Sequence, residues 1–289
     1  MISPKSFFKV CKEKGISFFT GIPDSLLKDF CAYIDKNTDA SSHVIASNEG
    51  TAVGLAVGHY LGSGKLPLIY LQNSGLGNVV NPILSLCDVQ VYSIPVILLI
   101  GWRGEPGVKD EPQHLKQGRV TPSILDSMEV PFKLINKNIN QSIINTKWAI
   151  EKAKKSQQPV ALLVEKGAFE KSDKNIKNKE KFFNYPSREK VISLITENIS
   201  NESIIVSTTG MISRELYENR DKNKKSRSKD FLTVGSMGHA SQIALGIAKA
   251  NPTKKVICLD GDGAALMHLG GMATIGRNQF GNLLHIVLN

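Results

Sequence analysis

What this 289-residue chain has little of narrows its class first. Cysteine is scarce: Cys11, Cys31, Cys87 and Cys258 are its four, and they lie far apart. No two have the spacing of a zinc knuckle or a redox pair. A disulfide scaffold is therefore not expected, and reduced thiols in a cytoplasmic protein are the simplest reading. Long apolar runs are missing too. The longest, residues 94–100, contains Pro95 and falls far short of the ~20 residues that span a bilayer, so no membrane helix is expected. The opening MISPKSFFKVCKEKG lacks the apolar region of a secretory signal. Acidic residues are outnumbered, 26 against 36 Lys and Arg, giving a formal charge of +10. Such a charge admits nucleic acid, an anionic membrane surface or an acidic small molecule as partner. The densest basic stretch, RDKNKKSRSKD at 220–230, carries six cations and no aromatic. It is expected to be a solvated loop, so no nucleic-acid partner is predicted.

What is present is ordinary globular composition, 41% hydrophobic and 21% charged, in a chain long enough for about two domains. Residues 1–165 alternate short apolar runs (16–20, 43–47, 66–72, 95–101, 132–135 and 159–165) with helical patterns near 24–34, 49–61, 78–87, 122–128 and 141–156. Several runs are apolar almost throughout, as strands covered on both faces are. The alternation predicts a doubly wound parallel α/β sheet. Residues 166–187 turn rich in Lys and Asn and are expected to form an exposed linker. The pattern restarts at 188–289, with helices near 188–199, after Thr209–Gly210 and at 240–250, and strands at 203–207, 231–234, 255–260 and 283–288. A second α/β domain is expected there. A probable core strand with no covering helix after it suggests a truncated domain and an exposed apolar sheet face.

The most informative segment is VICLDGDGAALMHLGG at 256–271. An apolar strand runs through Gly261, Asp262 and Gly263 into a helical pattern. Glycines let a ligand approach the backbone, and the first N–H groups of the helix cradle an anion. A lone GDG is equally a plain turn. Asn289 strengthens the functional reading: it lies 27 positions after Asp262, also at a strand end. Two oxygen-bearing side chains at strand ends suit a hard cation such as Mg²⁺.

GDG followed by 25 residues and Asn resembles the motif of the thiamin-diphosphate-dependent decarboxylase superfamily. Further segments carry the resemblance: SNEGTAVGLAVGHYLGSG at 47–64, VGSMGHASQIALGIA at 234–248, TGIPDSLLKDF at 20–30, QNSGLGN at 72–78 and GWRGEPGVKDEPQHLKQGRVT at 101–121. The last, read as a long polar loop, resembles the phosphonopyruvate decarboxylases most specifically. The resemblance implies a pyrimidine-binding domain at 1–165 and a diphosphate-binding domain at 188–289, the second incomplete.

It implies that Glu49 hydrogen-bonds the pyrimidine N1′ of thiamin diphosphate; an acidic residue favoured in a first helical turn is the alternative. Gly210, Gly235, Ser236, Met237, Gly261, Asp262, Gly263, Ala264 and Asn289 would bind the cofactor. The Gly235 carbonyl would take the 4′-amino group, Met237 would wedge between the two rings, and Asp262 and Asn289 would hold Mg²⁺, completed in the family by a carbonyl two residues further on. Asp24 and His114 are candidates to donate a proton and position the substrate; a helix cap and a solvent-exposed loop residue are their alternatives. Arg103, Lys109, Lys116 and Arg119 are candidate cations for the substrate's acid group.

The activity implied is decarboxylation of 3-phosphonopyruvate, an anionic 2-oxoacid, to phosphonoacetaldehyde and CO₂ in phosphonate biosynthesis. The implied assembly is a homodimer or higher homo-oligomer with the active site between subunits. Decarboxylation of sulfopyruvate or another 2-oxoacid is the nearest alternative, and a non-catalytic protein on the same fold a further one.

Overall fold

The computed structural model describes residues 1–171, 185–278 and 280–289. The chain divides into two compact units, Met1–Lys177 and Asn178–Asn289.

The first unit is a six-stranded sheet in which every strand pairs in parallel. Its strands are β1 (Phe18–Gly21), β2 (His43–Ile45), β3 (Pro67–Gln72), β4 (Ile97–Gly101), β5 (Phe132–Ile135) and β6 (Val160–Val164), in the spatial order β2-β1-β3-β4-β6-β5. The central strands β4 and β6 are buried throughout because helices cover both faces. On one face Phe7, Phe30, Ile150 and Phe169 pack under α1 (Pro4–Glu13), α2 (Lys28–Asn37) and α6 (Ile139–Ser156). On the other, Ala52, Val53, Val79 and Leu125 pack under α3 (Glu49–Ser63), α4 (Leu76–Pro82) and α5 (Pro112–Ser127).

The structure adds one helix that the sequence pattern did not mark and corrects three expectations. The opening residues form α1: Ser3 caps it by accepting the Ser6 N–H at 3.1 Å, and Pro4 occupies the first turn, where its missing N–H costs nothing. The run at 43–47 is a three-residue edge strand with partly exposed side chains. Ala168 and Phe169, expected in the linker, are buried in the first core, and Ile2 donates its N–H to Ala168 O at 2.8 Å. The rest of that linker, from 172 to 184, lies outside the described residues.

The third correction concerns the polar loop. Residues 112–121 are the first part of α5, and Pro122, expected to start a helix, sits inside it. Proline has no N–H for the carbonyl four residues back, here Gly118. Trp102 supplies the missing donor: its Nε1 gives a hydrogen bond to Gly118 O at 2.8 Å. Gly118 also lies so close to Gly104 that a side chain at either position would collide with the other segment.

The second unit holds β7 (Ile204–Ser207), β8 (Asp230–Leu232), β9 (Val256–Gly261) and β10 (Leu283–Leu288), all parallel, in the order β10-β9-β7-β8. Ile192, Ile212 and Leu216, from α7 (Arg188–Asn198) and α8 (Met211–Lys222), cover one face. Ala240, Ala244 and Ala248 of α9 (Ala240–Ala250) cover the other. Two short helices, α10 (Asp262–Met267) and α11 (Gly270–Asn278), lead from β9 to β10. The basic stretch at 220–230 is not all solvated loop. Arg220 is 5% exposed and gives two hydrogen bonds to Asp230, at 2.9 and 3.0 Å. All four cysteines are free thiols. Among the described residues no helix is long and apolar enough to cross a membrane.

Candidate active site

In the first unit the ends of β1, β3 and β4 open onto the carboxyl edge of the sheet, where parallel α/β folds gather ligands. Glu49 begins α3 beside this edge. Asn48 caps the helix by accepting the Thr51 N–H at 2.9 Å. Glu49 is thereby held in the first turn, 4% exposed, where the helix dipole favours negative charge. Asn78 of α4 donates from Nδ2 to Glu49 Oε2 at 2.7 Å. The other oxygen, Oε1, lies against Gly75, where any side chain would strike it. Sequence reasoning missed Asn78 and Gly75 as Glu49's partners, although both lie in the segment QNSGLGN.

The same three-residue turn, Asn73–Gly75, seats a second group. Asn73 is buried and donates from Nδ2 to Arg103 O at 2.8 Å, while its Oδ1 accepts the Arg103 N–H at 3.1 Å. The backbone N–H and carbonyl of Arg103 are thus both pinned. Its guanidinium is held by Asp110, with Nε to Oδ2 at 2.8 Å and Nη2 to Oδ1, and by Ser25 Oγ, which accepts from Nη1 at 2.9 Å. Asp110 also accepts the Gly104 and Glu111 N–H groups, each at 2.8 Å. The Arg103 hydrogen bonds hold the Asp110 carboxyl well below the usual carboxylate range. Asp110 went unnoticed in the sequence, where a polar stretch gives no sign of which acid will be buried.

The other candidates of this unit divide. Asp24 accepts on both oxygens: Leu26 and Leu27 N–H at 2.8 and 3.2 Å on Oδ2, and Gln72 Nε2 at 2.6 Å on Oδ1. This geometry favours the capping alternative, although the cap closes the turn before α2 and not the helix itself. His114 belongs to the first turn of α5, not to a loop, and its Nδ1 is buried with no hydrogen-bond partner among the described residues. Burial, and then repulsion from Arg103, push its pKa down. Lys109, Lys116 and Arg119 are exposed.

In the second unit the candidates cluster at the carboxyl ends of β7, β8, β9 and β10. Gly210 precedes α8 with a left-handed φ of 90°. Gly235, Ser236 and Met237 lie between β8 and α9, and Ser236 takes a φ of 53°, rare for a residue with a side chain. Met237 is 41% exposed, with its Cε 3.3 Å from where a Cβ on Gly263 would sit. An apolar side chain standing exposed over a bare glycine backbone is the arrangement that a bent two-ring cofactor needs, so these residues fit the group. Gly261 closes β9, opposite Leu288 of β10. Asp262 and Asn289 are the next residues on the two strands, and both are exposed. Ala264 is buried in α10 behind them. One buried pair was not read in the sequence: Asp260 accepts from Gly261 N–H at 3.0 Å and meets His285 Nε2 at 3.1 Å, steadying the strand end before Asp262.

Two family models match the chain: the N-terminal TPP binding domain of thiamine pyrophosphate enzymes at residues 4–129 and the C-terminal TPP binding domain at 208–289. The fold and the matches define a thiamine pyrophosphate enzyme. Phosphonopyruvate decarboxylase from Streptomyces viridochromogenes is 33% identical over 290 residues, 95% of this chain and 70% of that one. Sulfopyruvate decarboxylase subunit alpha from Methanococcus maripaludis is 32% identical over 165 residues, 57% of this chain and 95% of that one. Sulfopyruvate decarboxylase subunit beta from Methanocaldococcus jannaschii is 43% identical over 105 residues, 36% of this chain and 53% of that one. The chain belongs to the thiamine-pyrophosphate-dependent decarboxylases of the phosphonopyruvate and sulfopyruvate type.

Proposed function

We propose that the protein decarboxylates 3-phosphonopyruvate to phosphonoacetaldehyde and CO₂, using thiamin diphosphate and Mg²⁺. The observation that carries this reading is Glu49: a buried carboxylate at a helix start, oriented by Asn78 and given room by Gly75. When bound, thiamin diphosphate supplies a nucleophilic carbon for the keto group and a sink for the electrons that leave the carboxylate carbon. The chain's part is to hold, orient and protonate. Glu49 would be the residue to share a proton with the pyrimidine N1′, and its hydrogen bond from Asn78 keeps the carboxylate turned to one side. Met237 would stand between the two rings, and the Gly235 carbonyl would accept from the 4′-amino group. Gly210, Ser236, Gly261, Gly263 and Ala264 would line the diphosphate, and Asp262 and Asn289 would offer oxygens to Mg²⁺. His114 is the candidate to return a proton to the carbon that lost CO₂.

The domains are a pyrimidine-binding unit and a diphosphate-binding unit joined by a linker, and the protein works as a homo-oligomer, whose size sedimentation would measure. Sulfopyruvate is the second reading, supported by relatives bearing that name. CO₂ release measured with both substrates decides between them. A higher kcat/KM for phosphonopyruvate is expected; a higher value for sulfopyruvate would overturn the assignment and leave the reaction type standing.

A further inference from the structure

We propose that Arg103, with His114 beside it, is the seat of the tetrahedral acid group at the far end of the substrate; the inference rests on the 2-oxoacid reading above and names the residues that select among such acids. Four cations were open for this role, and three of them, Lys109, Lys116 and Arg119, are exposed. Arg103 differs in being built in. Its backbone is clamped by Asn73, and its segment lies against α5 through Gly104 and Gly118. Its guanidinium is fixed by Asp110 and Ser25.

A guanidinium has five N–H donors. Three are used, one each on Nε, Nη2 and Nη1, which leaves two among the described residues, both on the terminal nitrogens. These two donors, set on a rigid plane, are offered to the oxygens of a phosphonate or sulfonate. Asp110 offsets part of the charge, so the site suits an anion held by direction as much as by net charge.

The second, independent observation is His114. Its Nδ1 is buried and without a hydrogen-bond partner among the described residues, a donor or acceptor that a water, an ion or a ligand oxygen would complete. Its backbone carbonyl lies against Gly104, the residue after Arg103. The turn Asn73–Gly75 supports Glu49 at one end and Arg103 at the other, so the proton-handling carboxylate and the anion seat are fixed to one short piece of backbone.

The test compares the wild-type holoenzyme with Arg103→Lys, which keeps the charge and loses the fork, and with His114→Gln. Binding of 3-phosphonopropionate, which has both acid groups but no reactive keto carbon, is followed by calorimetry, with 3-sulfopropionate and propionate alongside. kcat/KM is measured for phosphonopyruvate, sulfopyruvate and pyruvate. Losing a bidentate contact predicts about ten-fold or more weaker binding of whichever strong-acid ligand the wild type prefers, and an equal fall in its selectivity over pyruvate. The phosphonate and sulfonate arms identify the natural acid. Unchanged binding and selectivity in both variants would overturn the inference while the substrate reading survived. If the wild type prefers neither strong acid to propionate or pyruvate, the substrate reading and the inference fall together. Should Arg103→Lys melt early, His114→Gln with intact binding and selectivity overturns the two-residue seat by itself.

Discussion

In the proposed mechanism Glu49 depends on neighbours that would never touch the reaction. Its carboxylate is fixed by an amide on one oxygen and an absent side chain on the other. Glu49→Gln is expected to bind thiamin diphosphate with near-normal affinity and to lose nearly all turnover, because an amide cannot exchange the proton. Cofactor titration together with proton exchange at the reactive cofactor carbon, followed by NMR, separates the two effects; normal exchange would remove Glu49 from the mechanism. Gly75→Ala forces the same carboxylate aside without changing its chemistry. Its turnover should fall about ten-fold or more, since misplacing a reacting group by about 1 Å costs up to a hundred-fold. The places of Glu49 at a helix start and of the GDG turn at a strand end were legible in the sequence, because an apolar run giving way to a helical pattern marks a strand-to-helix turn. Asn78, Asn73 and Asp110 were not, because amides and acids that pin a loop look like any other polar residues until the chain brings them together.

Among the elements, α5 is where the sequence pattern and the structure part furthest. Glycine and proline at residues 101–121 argued for a loop, and by local propensity they do. The helix forms because tertiary contacts override propensity: Trp102 satisfies the Gly118 carbonyl that Pro122 leaves unpaired. Trp102→Phe leaves that carbonyl without a donor and should cost about 1–2 kcal/mol of stability in denaturant titrations. Pro122→Ala restores a backbone N–H to the same carbonyl, so in that background Trp102→Phe should cost less. Additive costs in the double-mutant cycle would show that the two groups do not share the carbonyl. By contrast the apolar strands β3, β4 and β6 were read within two residues at either end, because burial on both faces leaves a continuous hydrophobic run that nothing local contradicts. Only two of the three positions of β2 are even partly buried, and the signal there was correspondingly faint.

Across the whole molecule, acid should weaken both units through carboxylates that neighbouring cations keep ionised to lower pH than usual. Arg103 lowers the pKa of Asp110 in the first unit. In the second, hydrogen bonds from Lys229 and Lys254 lower that of Glu202 from 4.5 to about 2. A carboxyl depressed by folding contributes stability above its unfolded pKa and loses it as pH falls through the folded one. Melting temperature is therefore expected to be level near neutrality and to fall as pH drops from 4.5 towards about 2. Glu202 is fully exposed, so its share should shrink in high salt, whereas that of the partly buried Arg103–Asp110 pair should persist. A melting series over pH at two salt concentrations, with Glu202→Gln and Asp110→Asn, checks both; a level profile down to pH 3 (about one unit below an ordinary carboxylate) would remove these groups from the acid limb.

The bond between Trp102 and Gly118 also has an optical side. The chain has two tryptophans, Trp102 and Trp148. Trp148 packs against the other face of the first sheet with the Lys133 ammonium 4.5 Å from its ring centre. Trp102 is the residue before Arg103, and its indole N–H is tied to the helix that carries His114. Indole emission responds to that hydrogen bond and to nearby charge. With Trp148 replaced by phenylalanine, the remaining fluorescence would come from the bend between β4 and α5 alone, giving a native lamp beside the anion seat that needs no attached dye and can be followed on the timescale of a stopped-flow mixing experiment.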